Sequence, residues 1–372
     1  MLSWQSCPTA EIGIDMGKRV VLGMSGGVDS SVSALILKEQ GYDVVGLFMR
    51  NWQEKDECGH CTAEEDFTDV RRVSATLDIP YYVVDFSKEY WDRVFALFVD
   101  EYSKGRVPNP DVLCNKEIKF DAFAKYAKSF GADFIATGHY CRHRKEGSQN
   151  LLLRAVDENK DQTYFLNQLK SEQLENVLFP IGELDKSQVR EIASRAKLAT
   201  AEKKDSTGIC FIGERKFRQF LSTYIPMKKG DILTRDGKKV GEHQGVYYYT
   251  VGQRRGLGIG GGGTGERWFV LEKDVKNNIL YVSQGEESEL FSSGLFCNSF
   301  NFINGKLPDG RYEVEARIRH RQPLQRAVME ICGEQAHFVF ENKQRAVAEG
   351  QYVVPYIGEV CLGGGVIDKR EA

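Results

Sequence analysis

A run near the amino end, Gly23-Met24-Ser25-Gly26-Gly27-Val28-Asp29-Ser30-Ser31, combines residue types that together bind an anion. Adjacent glycines let a backbone close on a phosphate. The hydroxyls of Ser25, Ser30 and Ser31 add donors, and a helix starting there offers free N–H groups. The flanks supply that setting. Arg19-Val20-Val21-Leu22 reads as a buried strand, and Val32 to Glu39 as an amphipathic helical run closed by Gly41. The Walker pattern G-x-x-x-x-G-K-[ST] requires a lysine that this run lacks. An acid, Asp29, stands inside the loop instead. A carboxylate repels a bare phosphate, so a Mg²⁺ between Asp29 and a pyrophosphate is the expected arrangement. The plainer alternative is a Gly-Ser turn joining a strand to a helix.

Cysteine is the second chemical theme. Cys114 closes Asn109-Pro110-Asp111-Val112-Leu113-Cys114, just ahead of a helix expected from about Asn115 to Ser129. A helix start lowers a thiol pKa and raises its thiolate fraction. Cys210 lies between Gly208 and Gly213, close in sequence to Lys203 and Lys204, again an electropositive setting. Cys58-Gly59-His60-Cys61 has C-x-x-C spacing, but one pair is half a metal site and no second pair follows. No metal held by protein alone is expected. Cys7, Cys141, Cys297, Cys332 and Cys361 read as buried filler. Asp111 is either a general acid/base or a turn residue after Pro110.

These groups need a scaffold, and strand and helix patterns alternate through the first half. Strands are expected at Asp43–Met49, Pro80–Asp85 and Asp133–His139, with helices at Thr62–Leu77 and Lys88–Tyr102 between them. Such alternation implies right-handed crossovers and a doubly wound parallel α/β sheet. Ligands then sit at the carboxyl ends of strands, which puts the Ser25 loop, Met49, the Asp111 loop and Gly138-His139 on one rim. From about residue 151 the pattern loosens into short helices. After 216 it becomes short strands and turns, including a hairpin from Trp268 to Ser283 and a glycine-dense loop from Gly256 to Gly265. The remainder is all-β, with Arg311 to His320 as an alternating, half-buried strand, and it reads as a small barrel. The expected divisions are an extension or tag at 1–15, a catalytic domain at 16–215, a mostly β middle domain at 216–286 and a barrel at 287–372.

The chain has 372 residues, enough for several cores, and its net charge is −3. That balance excludes a uniformly basic nucleic-acid binder. Lys203 to Arg255 nevertheless holds twelve Lys/Arg against five Asp/Glu, which fits a phosphate-rich partner. No run is apolar for long enough to span a membrane, and residues 1–15 lack the form of a secretory signal. Nine scattered cysteines without a framework point to a reducing compartment, here the cytoplasm.

The loop S-G-G-x-D-S resembles the PP-loop of ATP pyrophosphatases, which split ATP to AMP and pyrophosphate. With the two cysteines in view, the chain more specifically resembles the tRNA-specific 2-thiouridylases. The likeness runs from about Arg19 to Gly365. It rests on Gly23–Ser31, Gly46–Trp52, Pro108–Phe120, Ala136–Tyr140, Lys160–Leu166, Gly208–Gly213 and Tyr249–Gly258. It implies that Gly23, Met24, Ser25, Gly26, Gly27, Val28, Asp29 and Ser30, with Met49 and Gly138, hold ATP and its Mg²⁺. It implies that Asn109, Pro110 and Asp111 meet the target base. Cys114 would be the nucleophile and Cys210 the persulfide carrier, ending as a Cys114–Cys210 disulfide. His139, Lys160, Asp161, Gln162, Arg319, His320 and Gln351 would contact tRNA. A persulfide donor or relay protein is the implied second partner. The N-terminal extension and the Cys58/Cys61 pair depart from the pattern.

Two rival readings fit the same loop. An amide-forming adenylating ligase, in the manner of argininosuccinate synthetase, would need no cysteine pair. A non-catalytic RNA-binding protein would need no intact phosphate loop.

Overall fold

The computed structural model describes residues 17–52, 62–205, 217–260, 265–285 and 288–372. Cys7, Cys58, Cys61 and Cys210 lie outside the described residues. So do the first fifteen residues, the Gly208–Gly213 loop and the centre of the glycine-dense loop.

The apolar runs form β1 (Arg19–Gly23), β2 (Asp43–Arg50), β3 (Tyr81–Asp85) and β4 (Phe134–Thr137), all parallel, in the order β3-β2-β1-β4. Short Val177–Leu178 adds beyond β4. Successive side chains on a strand point to opposite faces, and the core divides accordingly. Val21, Val45 and Ile135 enter one cluster with Phe98, Ile118 and Phe123. Val20, Leu22, Val44 and Ala136 enter the other, with Val28, Val32 and Val73. Apolar residues on both faces are what a sheet covered by helices on both sides demands.

Helix α1 spans Val28–Glu39 and α2 spans Thr62–Leu77. The expected start of α1 at Val32 is corrected by one turn. Gly27 is extended, at φ −92° and ψ 165°, and the helix begins directly after it, so Asp29, Ser30 and Ser31 are helical.

A second helix start also moves. Asn109 is the cap, its side-chain oxygen accepting from the N–H groups of Asp111 (3.2 Å) and Val112 (3.4 Å), with Pro110 at the first helical position. The helix continues through a π-helical stretch, Asn115–Ala122, to Phe123–Lys128. Cys114 is therefore the fifth helical residue, not the residue before the helix. It is 3 % exposed and sits in the larger core cluster. The dipole argument falls off within the first turn, so it applies to Asp111 rather than to Cys114.

Past Tyr140, β5 (Cys141–Glu146) and β6 (Gln149–Arg154) form a hairpin that the sequence pattern did not announce. Its Leu153 pairs with Val360, so the hairpin extends the sheet of the carboxyl-terminal β-barrel. Between the two lies a four-stranded sheet of Trp268–Asp274, Ile279–Gln284, Gly230–Leu233 and Lys239–His243. The alternating strand is confirmed at Gly310–Arg317 but ends before Arg319 and His320. Among the described residues no helix is long and apolar enough to cross a membrane.

Candidate active site

The Gly23–Ser31 loop leaves the carboxyl end of β1 and closes on α1. Gly26 sits at φ +76°, and a Cβ there would lie 2.4 Å from the Asp66 carbonyl oxygen, so only glycine fits beneath α2. Gly138 plays the matching part at the exit of β4, where a Cβ would come within 2.9 Å of the Ser30 nitrogen. Met49 closes the floor, its Cε 3.2 Å from the position a Gly23 Cβ would take. Met24 is buried, with its N–H spent on the Leu47 carbonyl at 2.9 Å, so it shapes the loop from beneath. Ser30 and Ser31 donate to the Gly27 carbonyl at 3.1 and 2.8 Å. Ser25 is exposed, and no side chain caps α1. An open helix N-terminus beside an exposed hydroxyl is a fit for phosphate.

The cations absent from the loop arrive from distant sequence. Lys186 places its Nζ 2.7 Å from Asp29 Oδ1, and the Tyr140 hydroxyl donates to the same oxygen at 2.9 Å. Lys186 also reaches Asp205 at 2.8 Å, which Lys160 (2.6 Å) and Arg190 (3.0 Å) hold as well. Burial pushes the Asp205 carboxyl up, but the bonds from Lys160 and Lys186 outweigh it and bring it to about 2. Lys203 donates to the Gly26 carbonyl at 3.0 Å and to Asp66 and Asp69 at 2.7 Å each. Spacing in sequence could not have found Lys186, Tyr140, Asp205 or Lys203. The one visible signal was the Asp185-Lys186-Ser187-Gln188 capping box, which fixes the Lys186–Arg195 helix.

Asp111 lies in the first turn after the Asn109 cap, and His139 follows the end of β4. Burial raises the Asp111 carboxyl, and the charge of Lys119 works against that rise. Burial holds His139 well below its ordinary value, and Lys119 depresses it further. His139 is 7 % exposed, bonded through Nδ1 to Thr137 Oγ1 at 2.8 Å and flanked by Phe120 and Phe179. Among the other cysteines, Cys141, Cys297 and Cys361 are buried with thiol pKa values pushed up by burial, as filler requires. Cys332 is exposed, which corrects its reading as filler.

Family models match in three consecutive stretches. They are a tRNA methyl transferase HUP domain at 18–214, a tRNA methyl transferase PRC-barrel domain at 218–284 and an aminomethyltransferase beta-barrel domain at 292–367. The tRNA-specific 2-thiouridylase MnmA of Streptococcus uberis is 57 % identical over 94 % of this chain and 95 % of its own. The protein of the same name from Listeria monocytogenes is 56 % identical over 94 % of each. The chain belongs to the tRNA-specific 2-thiouridylase family. A U34-tRNA thiolase, NcsA from Methanococcus maripaludis, has a solved structure with a [4Fe-4S] cluster. It aligns at a TM-score of 0.37 and 19 % identity, over 56 % of this chain and 65 % of that one.

The positions expected from the resemblance to contact tRNA divide into two sets. Arg319 is exposed but donates through its guanidinium to the Ala346 carbonyl, and His320 is partly exposed with its ring 4.5 Å from that of Phe165. Gln162 and Lys160 are partly exposed too, but each holds protein: Gln162 accepts from the Tyr140 N–H at 2.9 Å, and Lys160 binds Asp205. Asp161 is 1 % exposed and faces inward. It accepts from Ala155 N (3.2 Å), from Thr163 Oγ1 (2.9 Å) and from buried Arg317 (3.2 Å). The side chains of Asp161 and Arg317 thus join the first domain to the barrel, and neither is free to meet a phosphate. Gln351 also turns inward, toward Val107 and Pro108.

Proposed function

We propose that this protein replaces the C2 oxygen of the wobble uridine of tRNA with sulfur, consuming ATP. The observation that carries the reading is the uncapped, glycine-lined helix start at the carboxyl end of β1, in a chain 56–57 % identical to tRNA-specific 2-thiouridylases over nearly its whole length. A pyrimidine C2 carbonyl is a poor electrophile, and oxygen leaves it badly. Attack of that oxygen on the α-phosphorus of ATP expels pyrophosphate and leaves an adenylate. The α1 N-terminus, Ser25 and the Gly26–Gly27 backbone would receive the phosphates. Asp29 is partly exposed and would hold a Mg²⁺, whose charge would neutralise the pyrophosphate. Lys186, released from Asp29 by that exchange, would remain as a cation beside the phosphates.

The terminal sulfur of a Cys210 persulfide then attacks C2, and AMP departs. Thiolate from Cys114 attacks the Cys210 sulfur, breaks the S–S bond and leaves sulfur on C2. The products are 2-thiouridine and a Cys114–Cys210 disulfide, which a thiol reductant reopens. Asp111 would move protons at the base. The persulfide comes from a donor or relay protein. Domain divisions near residues 215 and 286 and a cytoplasmic location complete the reading.

Incubation of the protein with α-labelled ATP, unmodified tRNA and a persulfide source tests it. AMP and pyrophosphate should form together with 2-thiouridine. ADP as the main product would exclude the adenylation. An amide-forming ligase would release AMP without any change in tRNA nucleosides.

A further inference from the structure

The segment that leads into the base-facing turn does not run free. Val107 donates its N–H to the Glu349 carbonyl at 2.8 Å. Gln351 Nε2 donates to the Val107 carbonyl at 2.7 Å, and Pro108 O lies 3.5 Å away. Arg106 pairs with Glu101 at 2.7 Å and with Asp368 at 3.2 Å. Gly350, at φ +90°, brings the two backbones together, for a Cβ there would lie 2.8 Å from the Val107 nitrogen. From the middle domain, Val275 Cγ2 approaches within 2.3 Å of where a Gly105 Cβ would stand. Residues 105–108 are thus strapped along the barrel one residue before the Asn109 cap that sets Asp111 and Cys114.

We propose that Gln351 is a positioning residue. With Gly350 it fixes the Asn109–Asp111 turn to the barrel, so that RNA seated on the barrel and the reacting groups share one rigid frame. This rests on the thiolation reading, and it gives Gln351 a different part from the direct tRNA contact that family resemblance implies. Its carboxamide is committed on both sides, since Oε1 faces the Tyr164 hydroxyl at 3.4 Å. Misplacement of reacting groups by about 1 Å costs on the order of 100-fold in rate, so a loosened strap acts on turnover rather than on binding.

The test compares Gln351→Met, Gln351→Glu and Gly350→Ala with wild type. The readouts are tRNA affinity, single-turnover thiolation at saturating tRNA, and hydrogen exchange of the Val107 amide. Gln351→Glu keeps an acceptor toward Tyr164 but cannot donate to Val107. All three variants should thiolate roughly 10- to 100-fold more slowly with tRNA affinity within about twofold of wild type. Val107 should exchange faster in each. Gly350 has no side chain to offer RNA, so the same pattern in Gly350→Ala cannot come from a lost contact; if that variant fails to fold, the two Gln351 variants decide. Weaker tRNA binding with an unchanged saturated rate in Gln351→Met would make Gln351 an RNA contact and overturn the proposal. Unchanged Val107 exchange would overturn it as well. Absence of 2-thiouridine with wild type would instead defeat the thiolation reading, and the exchange measurement would still decide the strap.

Discussion

Lys186 Nζ lies 2.7 and 2.9 Å from the two carboxylate oxygens of Asp29, across 157 residues of sequence. The cation beside this loop therefore comes from a distant part of the same chain rather than from within the motif. Lys186→Met should leave Asp29 without its cation beside the incoming phosphates, while Asp205 keeps Lys160 and Arg190. A charge-assisted hydrogen bond is worth about 1.5–3 kcal/mol, so the KM for ATP should rise roughly 10- to 100-fold. Lys186→Arg should recover part of it. Pyrophosphate release at graded ATP measures this, and an unchanged KM would remove Lys186 from the nucleotide site.

Asp161 and Arg317 form an ion pair with side-chain exposures of 0 % and 4 %. Removing one partner of such a pair strands the other, at a cost of about 3–5 kcal/mol. Arg317→Met should therefore lower the unfolding midpoint markedly, and Arg317→Met combined with Asp161→Asn should lower it less. Calorimetry of the full chain checks the order. A double variant no more stable than the single one would mean that the charge of Asp161 is not what matters.

His139 is neutral in the fold, held below its ordinary pKa by burial first and by Lys119 second. His320, at about 4, behaves alike for the same leading reason. The unfolded chain takes up protons at these sites near pH 6.5 while the folded chain does not. Stability should accordingly fall as pH drops from about 6.5 toward 4, by at most about 1.4 kcal/mol per pH unit for each histidine. His139→Gln should reduce that slope relative to wild type in urea titrations at pH 7.5 and 5.5. Parallel slopes would show His139 to be solvated.

Arg254 and Arg255 are exposed in the basic middle segment, whereas Arg317 is spent on Asp161. Salt dependence of tRNA binding should follow the first two. Each phosphate neutralised on duplex-like backbone contributes a slope of about −0.9 in log K against log salt. Replacing both arginines with Gln should flatten the slope by up to about 1.8. Arg317→Met should leave it unchanged.

Local pattern carried the sheet, the phosphate loop and most strand limits, because burial on two faces writes itself into Val20-Val21-Leu22 and Val44-Val45. It failed where partners are remote. Nothing near Asp29 announces Lys186 or Tyr140, and nothing in β5 or β6 tells that Leu153 pairs with Val360. The helix holding Cys114 starts at Pro110 rather than Asn115, because proline after an Asn cap opens a helix. Alternation in Arg311–His320 correctly indicated a strand but could not show that Arg317 points into a buried carboxylate. Cys210 stands out by its glycine-bounded setting near Lys203 and Lys204, while its part as persulfide carrier is legible only through resemblance.

The central claim is sulfur transfer through Cys114 and Cys210. Mass spectrometry of nucleosides from tRNA incubated with the protein, ATP and a persulfide source tests it most directly, run with wild type, Cys114→Ser, Cys210→Ser and the Cys58→Ser, Cys61→Ser pair. Wild type and the 58/61 double variant should yield 2-thiouridine, while the two single variants yield none yet bind tRNA normally. Loss of 2-thiouridine in the double variant together with its persistence in Cys210→Ser would route sulfur through the 58–61 pair and contradict the account.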